Sequence, residues 1–312
     1  MGSSARLGLW NAHAGGCFRP WKPGSWAISA IPDTVTEWLL AQGVGVVAER
    51  RGVAGGCINN GLRIKTDKDS WFFLKTNNDA PADMFEREAE GLAALNTPDG
   101  PRVPEVFLWG ANFLLLEDLA PSGRAQDYWS QLGGQLAALH THTAAQFGFD
   151  HDNYIGSTPQ PNNWMDDGFA FFAEQRLGFQ ARLAVDRRLL SGSEAAAVEA
   201  IASKLPGLIP EQPASLLHGD LWGGNAISDS HGQPAIIDPA AHYGWAETEL
   251  AMTALFGGFA AEFYPAYESV RPLEAGYRER FPLYNLYHLL NHLNLFGTGY
   301  YSQVKGILGR YA

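Results

Sequence analysis

The sequence predicts an α+β chain of two unequal lobes: a small one built on a five-stranded antiparallel sheet with one helix, then a larger, mainly helical one. Three observations carry that expectation. Five short apolar, strand-like runs fall between Val44 and Glu117, and one run of helical period, Ala82 to Leu95, interrupts them. Beyond Gly123 the pattern turns to long segments of helical period.

Bulk properties narrow the function classes. The chain has 312 residues, 46% of them hydrophobic, which is ordinary for a globular protein of one large or two medium domains. Against 33 acidic residues stand 22 basic ones, a formal net charge of −11, with no Lys/Arg run to track a phosphate backbone. Nucleic acid is not an expected partner. The only cysteines, Cys17 and Cys57, rule out a disulfide framework and form no zinc-spaced cluster. Apolar runs such as Phe113 to Leu116 are far shorter than a membrane span, so a cytoplasmic protein without a membrane partner is expected.

Residues 1–31 mix Gly15-Gly16, Pro20, Pro23 and Gly24 with Trp10, Trp21 and Trp26, and neither period survives those breakers. They are expected to form a poorly ordered leader ahead of lobes over 32–120 and 121–312. Asp33 reads as the N-cap of a helix over Thr34 to Gln42. Strands are expected over Val44 to Arg50, Ile58 to Lys65 and Trp71 to Thr76. Between the first two lies Gly52-Val53-Ala54-Gly55-Gly56-Cys57. Gly55 and Gly56 are candidates for backbone N–H groups that approach phosphates, although alone the stretch reads better as an ordinary hairpin turn.

The third strand and the helix after it shift that balance. Strand alternation puts Trp71, Phe73 and Lys75 on one face, leaving a single Lys at the end of an apolar strand, where a kinase keeps its phosphate-gripping lysine. A solvent-reaching strand-end Lys is the plainer alternative. The helix over Ala82 to Leu95 has a core stripe of Phe85, Leu92 and Leu95 and offers Glu86 and Glu88 as carboxylate partners for Lys75. Strands over Val103 to Trp109 and Phe113 to Glu117 complete the sheet. Leu116, Glu117 and Asp118 then read as an interlobe hinge whose backbone would meet an adenine ring.

In the second lobe, helices are expected over Tyr128 to His140, Phe169 to Leu190, Ser193 to Leu205, Glu247 to Phe259 and Pro282 to Phe296. His140 and His142 read as helix-end groups that serve exposed carbonyls. The richest stretch is Leu216 to Asn225, Leu-Leu-His-Gly-Asp-Leu-Trp-Gly-Gly-Asn, completed by Ile236-Ile237-Asp238-Pro239. Two apolar runs deliver Asp220, Asn225 and Asp238 in the order of a protein-kinase catalytic loop and its metal-binding Asp. Phosphoryl transfer needs one carboxylate at the acceptor hydroxyl, and an oxygen ligand plus a second carboxylate for Mg²⁺. His218-Gly219-Asp220 alone would be an ordinary turn; the full set is not.

The chain resembles the fructosamine-3-kinase (ketosamine kinase) family, within the aminoglycoside phosphotransferase-like and protein-kinase-like enzymes. The match is carried by Leu217 to Trp222 with Gly224-Asn225, by Asp238-Pro239-Ala240 with Tyr243-Gly244, by Phe256 to Phe259, and by Leu286 to Asn294. It covers nearly everything from Thr34 onward. The resemblance implies a two-lobed protein-kinase-like fold and ATP- and Mg²⁺-dependent phosphorylation of the 3-hydroxyl of a small-molecule or protein-bound fructosamine or ribulosamine, a deglycation repair reaction, by a monomer or homodimer. It further implies Asp220 as base, Asn225 and Asp238 as metal ligands, Lys75 on the phosphates with Glu88 orienting it, and Trp222, Asn291 and His292 on the substrate side. Cys57 would be a redox-sensitive loop thiol; a small inert strand residue is the alternative. Two departures stand out. Gly168 occupies a position where the family usually has an aromatic, and Trp245 one where His is common, and Trp245 is expected close to the substrate. An aminoglycoside or choline kinase of the same fold, or a silent nucleotide-binding protein, are the rival readings.

Overall fold

The computed structural model describes residues 31–53 and 59–312. The expected leader lies outside the described residues except for Ile31, and so do Gly55, Gly56 and Cys57. The first lobe opens with α1 (Asp33–Ala41), followed by β1 (Val47–Val53), β2 (Asn60–Thr66), β3 (Trp71–Thr76), α2 (Met84–Leu95), β4 (Val106–Gly110) and β5 (Phe113–Glu117). The five strands form one antiparallel sheet in the order β1-β2-β3-β5-β4.

Strand alternation divides that sheet into two faces with different work. Leu62, Ile64, Phe72, Leu74, Phe113 and Leu115 point to one side and bury against Val35 and Leu39 of α1. From the other side Leu114 and Leu116 pack on Phe85, Ala89, Leu92 and Leu95 of α2, the stripe at helical spacing. Lys75, one residue out of phase with Leu74, is therefore on the face toward α2 and the interlobe cleft.

Several boundaries differ from expectation. Pro32, rather than Asp33, is at the N-cap of α1, and no side chain caps that helix. The first strand starts at Val47 because Gly43 and Gly45 turn the chain with φ of 67° and 97°. The fourth starts after Val103-Pro104, where the proline has no N–H for a ladder.

The second lobe is mostly helical: α3 (Tyr128–Leu139), the short strands β6 (Thr143–Ala144), β7 (Asn153–Ile155) and β8 (Thr158–Gln160), then α4 (Gly168–Phe171), α5 (Phe179–Asp186) and α6 (Gly192–Leu208). It continues with β9 (Ala214–Leu217), β10 (Ala226–Ser228), β11 (Pro234–Ile236) and β12 (His242–Gly244), then α7 (Ala246–Leu255), α8 (Phe263–Val270), α9 (Tyr277–Phe296) and α10 (Tyr301–Tyr311). The single helix expected over Phe169 to Leu190 is split by a π-helical stretch, Phe172–Gly178, in which Arg176 is buried. α9 starts at Tyr277, ahead of Pro282 and just after Gly276 with φ 74°, and α7 ends before Gly257 and Gly258, both at positive φ. α8 and α10 are not expected from the sequence.

Candidate active site

The two lobes enclose a cleft of about 530 Å³, lined by Lys75, Glu88, Leu116 to Leu119, Asp220, Trp222, Asn225, Asp238, Asn291 and His292. Apart from Glu86 and Trp245, every site candidate among the described residues thus lines one cavity. In the first lobe, Lys75 pairs in register with Gly61 of β2 and Leu114 of β5. Its Nζ donates to Glu88 of α2 and to Asp238 of the other lobe. Two carboxylates outweigh the burial of the ammonium and raise its pKa. Glu88, buried beside Asp238, is pushed up in turn, against the pull of Lys75. Glu86 instead contacts Arg87 at 2.9 Å and is 45% exposed, which decides between the two glutamates.

β9 delivers His218-Gly219-Asp220 to the cleft floor. Gly219 has φ 84°, and a Cβ there would stand 2.1 Å from the Ala240 carbonyl oxygen. Glycine is thus a backbone requirement that lets this loop cross the Asp238 segment closely. His218 locks the crossing: the Ile237 carbonyl lies 2.8 Å from Nε2, and the Asp220 N–H 3.2 Å from Nδ1. A carbonyl only accepts and an N–H only donates, so the imidazole carries its proton on Nε2. Burial holds it neutral.

Asn225, which lines the cleft, donates Nδ2 to the Asp220 carbonyl oxygen at 2.8 Å, leaving its Oδ1 as the acceptor of the amide. Asp238 adopts a left-handed backbone, φ 58°, and the segment after it is gripped by two buried amides. Gln160 donates to Ala240 O at 3.0 Å, and Asn153 to Ala241 O at 2.8 Å. Asp220 has no cationic partner among the described residues. Burial, then the charges of Asp238 and Glu249, raise its pKa well above the usual carboxylate range.

Glu249, on α7, has no role that the sequence pattern reveals, yet it anchors the loop. Its carboxylate accepts the N–H of His218 at 3.0 Å and of Gly219 at 2.7 Å, while His140 Nε2 lies 3.0 Å away. Those bonds keep Glu249 ionised despite complete burial. His140 is therefore not a helix-end group for carbonyls: its buried ring joins Glu249 to the Tyr267 hydroxyl, 2.7 Å from Nδ1. The clue available in the sequence is a Glu followed directly by small and apolar residues, Glu249-Leu250-Ala251-Met252.

At the hinge, the Asp118 side chain is held by Arg63 at 2.6 Å, and the Glu117 N–H is already given to Glu105 O. Arg102 pairs with Glu117 and, at 2.6 Å, with Asp229 in the other lobe. On the opposite side, Trp222 lies over Gly224, where a Cβ would sit 2.3 Å from the indole. Asn291 Oδ1 accepts from Gln180 Nε2 at 3.3 Å, and His292 Nδ1 lies 2.8 Å from His288 O.

Trp245 corrects an expectation. It is 3% exposed, packed among Phe147, Phe169, Phe172 and Tyr284, and is not a wall of the cleft. A Cβ on Gly168 would lie 2.6 Å from the Phe147 ring and 2.8 Å from Trp245 Nε1. The two departures from the family pattern are therefore one packing feature: the indole occupies the room that a side chain at 168 would need.

No helix among the described residues is long and apolar enough to cross a membrane. The chain as a whole has counterparts among known proteins. Residues 33–312 match the family model described as fructosamine kinase. A Synechocystis protein named a probable ketoamine kinase is 46% identical over 267 residues, 84% of this chain and 90% of that protein. The chloroplastic protein-ribulosamine 3-kinase of Arabidopsis thaliana is 39% identical over 290 residues, 89% of this chain and 87% of that protein. The solved structure of a Thermobifida fusca protein described as a fructosamine-3-kinase superposes with a TM-score of 0.81 at 33% identity, covering 89% of this chain and 98% of that one. With its protein-kinase-like architecture and a match over all but the first residues, the chain belongs to the fructosamine kinase family.

Proposed function

We propose that this chain transfers the γ-phosphoryl group of ATP to the 3-hydroxyl of a ketosamine, a fructosamine or ribulosamine, and so serves in deglycation. The observation that carries the reading is the convergence of Lys75, Glu88 and Asp238 opposite Asp220 and Asn225 in one cleft. Lys75, oriented by Glu88, holds the α- and β-phosphates; the backbone at Asp118 and Leu119 meets the base, since the Glu117 amide is engaged.

Asp220 accepts the acceptor's hydroxyl proton as the new O–P bond forms and the bond from the γ-phosphorus to the β–γ bridging oxygen breaks, leaving ADP. Its raised pKa makes it a stronger proton acceptor than an ordinary carboxylate. Asn225 Oδ1 and the Asp238 carboxylate are hard oxygen donors that fit Mg²⁺, and nucleotide phosphates and water complete such a site. Bound there, the metal supplies charge neutralisation on the β- and γ-phosphates. When ionised, Asp220, with no cationic partner among the described residues, gives its surroundings a negative potential that suits an amine-bearing substrate.

ADP release with ATP and Mg²⁺ tests the reading against fructose-lysine, ribulose-lysine, erythrulose-lysine, kanamycin and choline. Turnover is expected with the ketosamines. Turnover confined to kanamycin or choline would contradict it.

A further inference from the structure

Within that ketosamine reading, on which it rests, we infer that the cleft holding Asp220 also contains a site for a protonated amine, made by the unengaged Nε2 of His292 and the rings of Phe256, Phe296 and Tyr300. The tautomer of His292 is set by its neighbour. Nδ1 lies 2.8 Å from the His288 carbonyl oxygen, which can only accept, so the proton is on Nδ1 and Nε2 bears a lone pair. Burial keeps the ring neutral by lowering its pKa. No described residue bonds that Nε2, and His292 lines the cleft. A neutral acceptor in that position calls for a donor from the ligand.

The surroundings favour a cation as that donor. Ring centroids of Phe256, Tyr300 and Phe296 stand 4.7, 5.1 and 5.5 Å from the imidazole, and all three line the cleft that holds Asp220. Aromatic faces carry the negative lobe of the ring quadrupole and attract cations. Phe296 is 42% exposed, so its ring is open to a ligand. The cations lining the cleft among the described residues are paired elsewhere: Arg63 with Asp118, Lys75 with Glu88 and Asp238, Arg87 with Glu86 and Glu90. None competes at this end. The secondary ammonium of a ketosamine has two N–H donors, so it can give one to His292 Nε2 while its charge rests on the rings; a sugar without the amine has only a hydroxyl to offer Nε2 and no charge for the rings.

The test compares fructose-lysine with an analogue in which an ether oxygen replaces the linking nitrogen, sugar and tail unchanged. Wild type should favour the amine by about tenfold or more in kcat/KM. Phe296→Leu and Tyr300→Leu, which keep apolar bulk and lose the ring, should shrink that ratio through KM for the amine, and Phe296→Trp should keep it. ATP affinity by calorimetry checks that each variant is folded; where one is not, the wild-type ratio decides alone. Amine and ether turned over alike, or equal ratios for Phe296→Leu and Phe296→Trp, would overturn this site and leave the ketosamine reading standing. Turnover of neither, with kanamycin or choline accepted instead, would remove the reading and the site together.

Discussion

The Gly219 N–H donates to Glu249 Oε1 at 2.7 Å, so the loop that presents Asp220 hangs from a carboxylate thirty residues further along the chain. The other oxygen of that carboxylate takes the His218 N–H and the His140 ring. Hydrogen bonds to a buried charge contribute more than neutral ones, about 1.5–3 kcal/mol each. Glu249→Gln keeps the shape, loses the charge and turns one acceptor into a donor toward an N–H. Urea denaturation should show a loss of about 2–4 kcal/mol, and kcat should fall with little change in KM for ATP, because the nucleotide groups of the first lobe are untouched. An unchanged kcat would mean that the loop holds its shape without Glu249.

Gly219→Ala adds a Cβ 2.1 Å from Ala240 O at a φ of 84°. A left-handed alanine alone costs about 1–2 kcal/mol, and the clash forces the loop off the Asp238 segment. Steady-state kinetics should show kcat lower by about a hundredfold, the scale of an ångström-sized misplacement. Near-normal kcat would show that the crossing tolerates movement.

Lys75 is buried between Glu88 and Asp238. Lys75→Ala strands two carboxylates around an uncompensated site, so a stability loss of about 3–5 kcal/mol and a weaker ATP affinity by calorimetry are expected together. Glu88→Gln leaves Lys75 with Asp238 as its one carboxylate partner and should cost less stability. The reverse ranking would contradict this division of roles.

Acid should destabilise the fold earlier than carboxylate titration alone would. Five described histidines, His140, His218, His242, His288 and His292, have pKa values lowered by burial, that of His288 to about 3. Unfolded, each titrates near its ordinary value of about 6.5. As pH falls below that value the unfolded chain binds more protons than the folded one, so stability is full above about 6.5 and declines below it, by up to about 1.4 kcal/mol per pH unit for each group. Asp220 and Glu88, with raised values, act in the opposite direction but are outnumbered. Melting temperatures from pH 7.5 to 5 should therefore fall; a flat profile would contradict neutral burial of these rings.

Trp245 and Gly168 should be coupled. Trp245→His empties part of a buried aromatic cluster, and Gly168→Phe drives a ring into Phe147 and the indole. Each alone should destabilise by about 2–4 kcal/mol. In a double-mutant cycle the pair should cost at least about 1 kcal/mol less than the sum. Additivity would mean that the two positions do not share space.

Legibility in the sequence tracks the range of the interactions. Lys75 can be placed because strand alternation is local, and Asp220, Asn225 and Asp238 because they sit close together between two apolar runs. Glu88 can be chosen over Glu86 only by resemblance; in the structure the helix turns Glu86 outward to Arg87. His140 lies 109 residues from Glu249, and nothing near it in sequence announces that bond, so it reads as a helix end. Trp245 reads as a substrate-side residue because its neighbours Tyr243 and Gly244 match the family motif, but side-chain direction at the start of α7 turns it into the core. Pro282 misleads for the converse reason, since proline favours a helix start and here sits inside one.

In the proposed mechanism Asp220 takes the acceptor's proton. Asp220→Asn preserves size and the bond partners of the loop while removing the base. Single-turnover phosphate transfer from γ-labelled ATP to fructose-lysine, with ATP affinity measured in parallel, should show binding within about twofold of wild type and transfer slowed by roughly 10²–10⁴-fold. Transfer at the wild-type rate with ATP bound normally would contradict it.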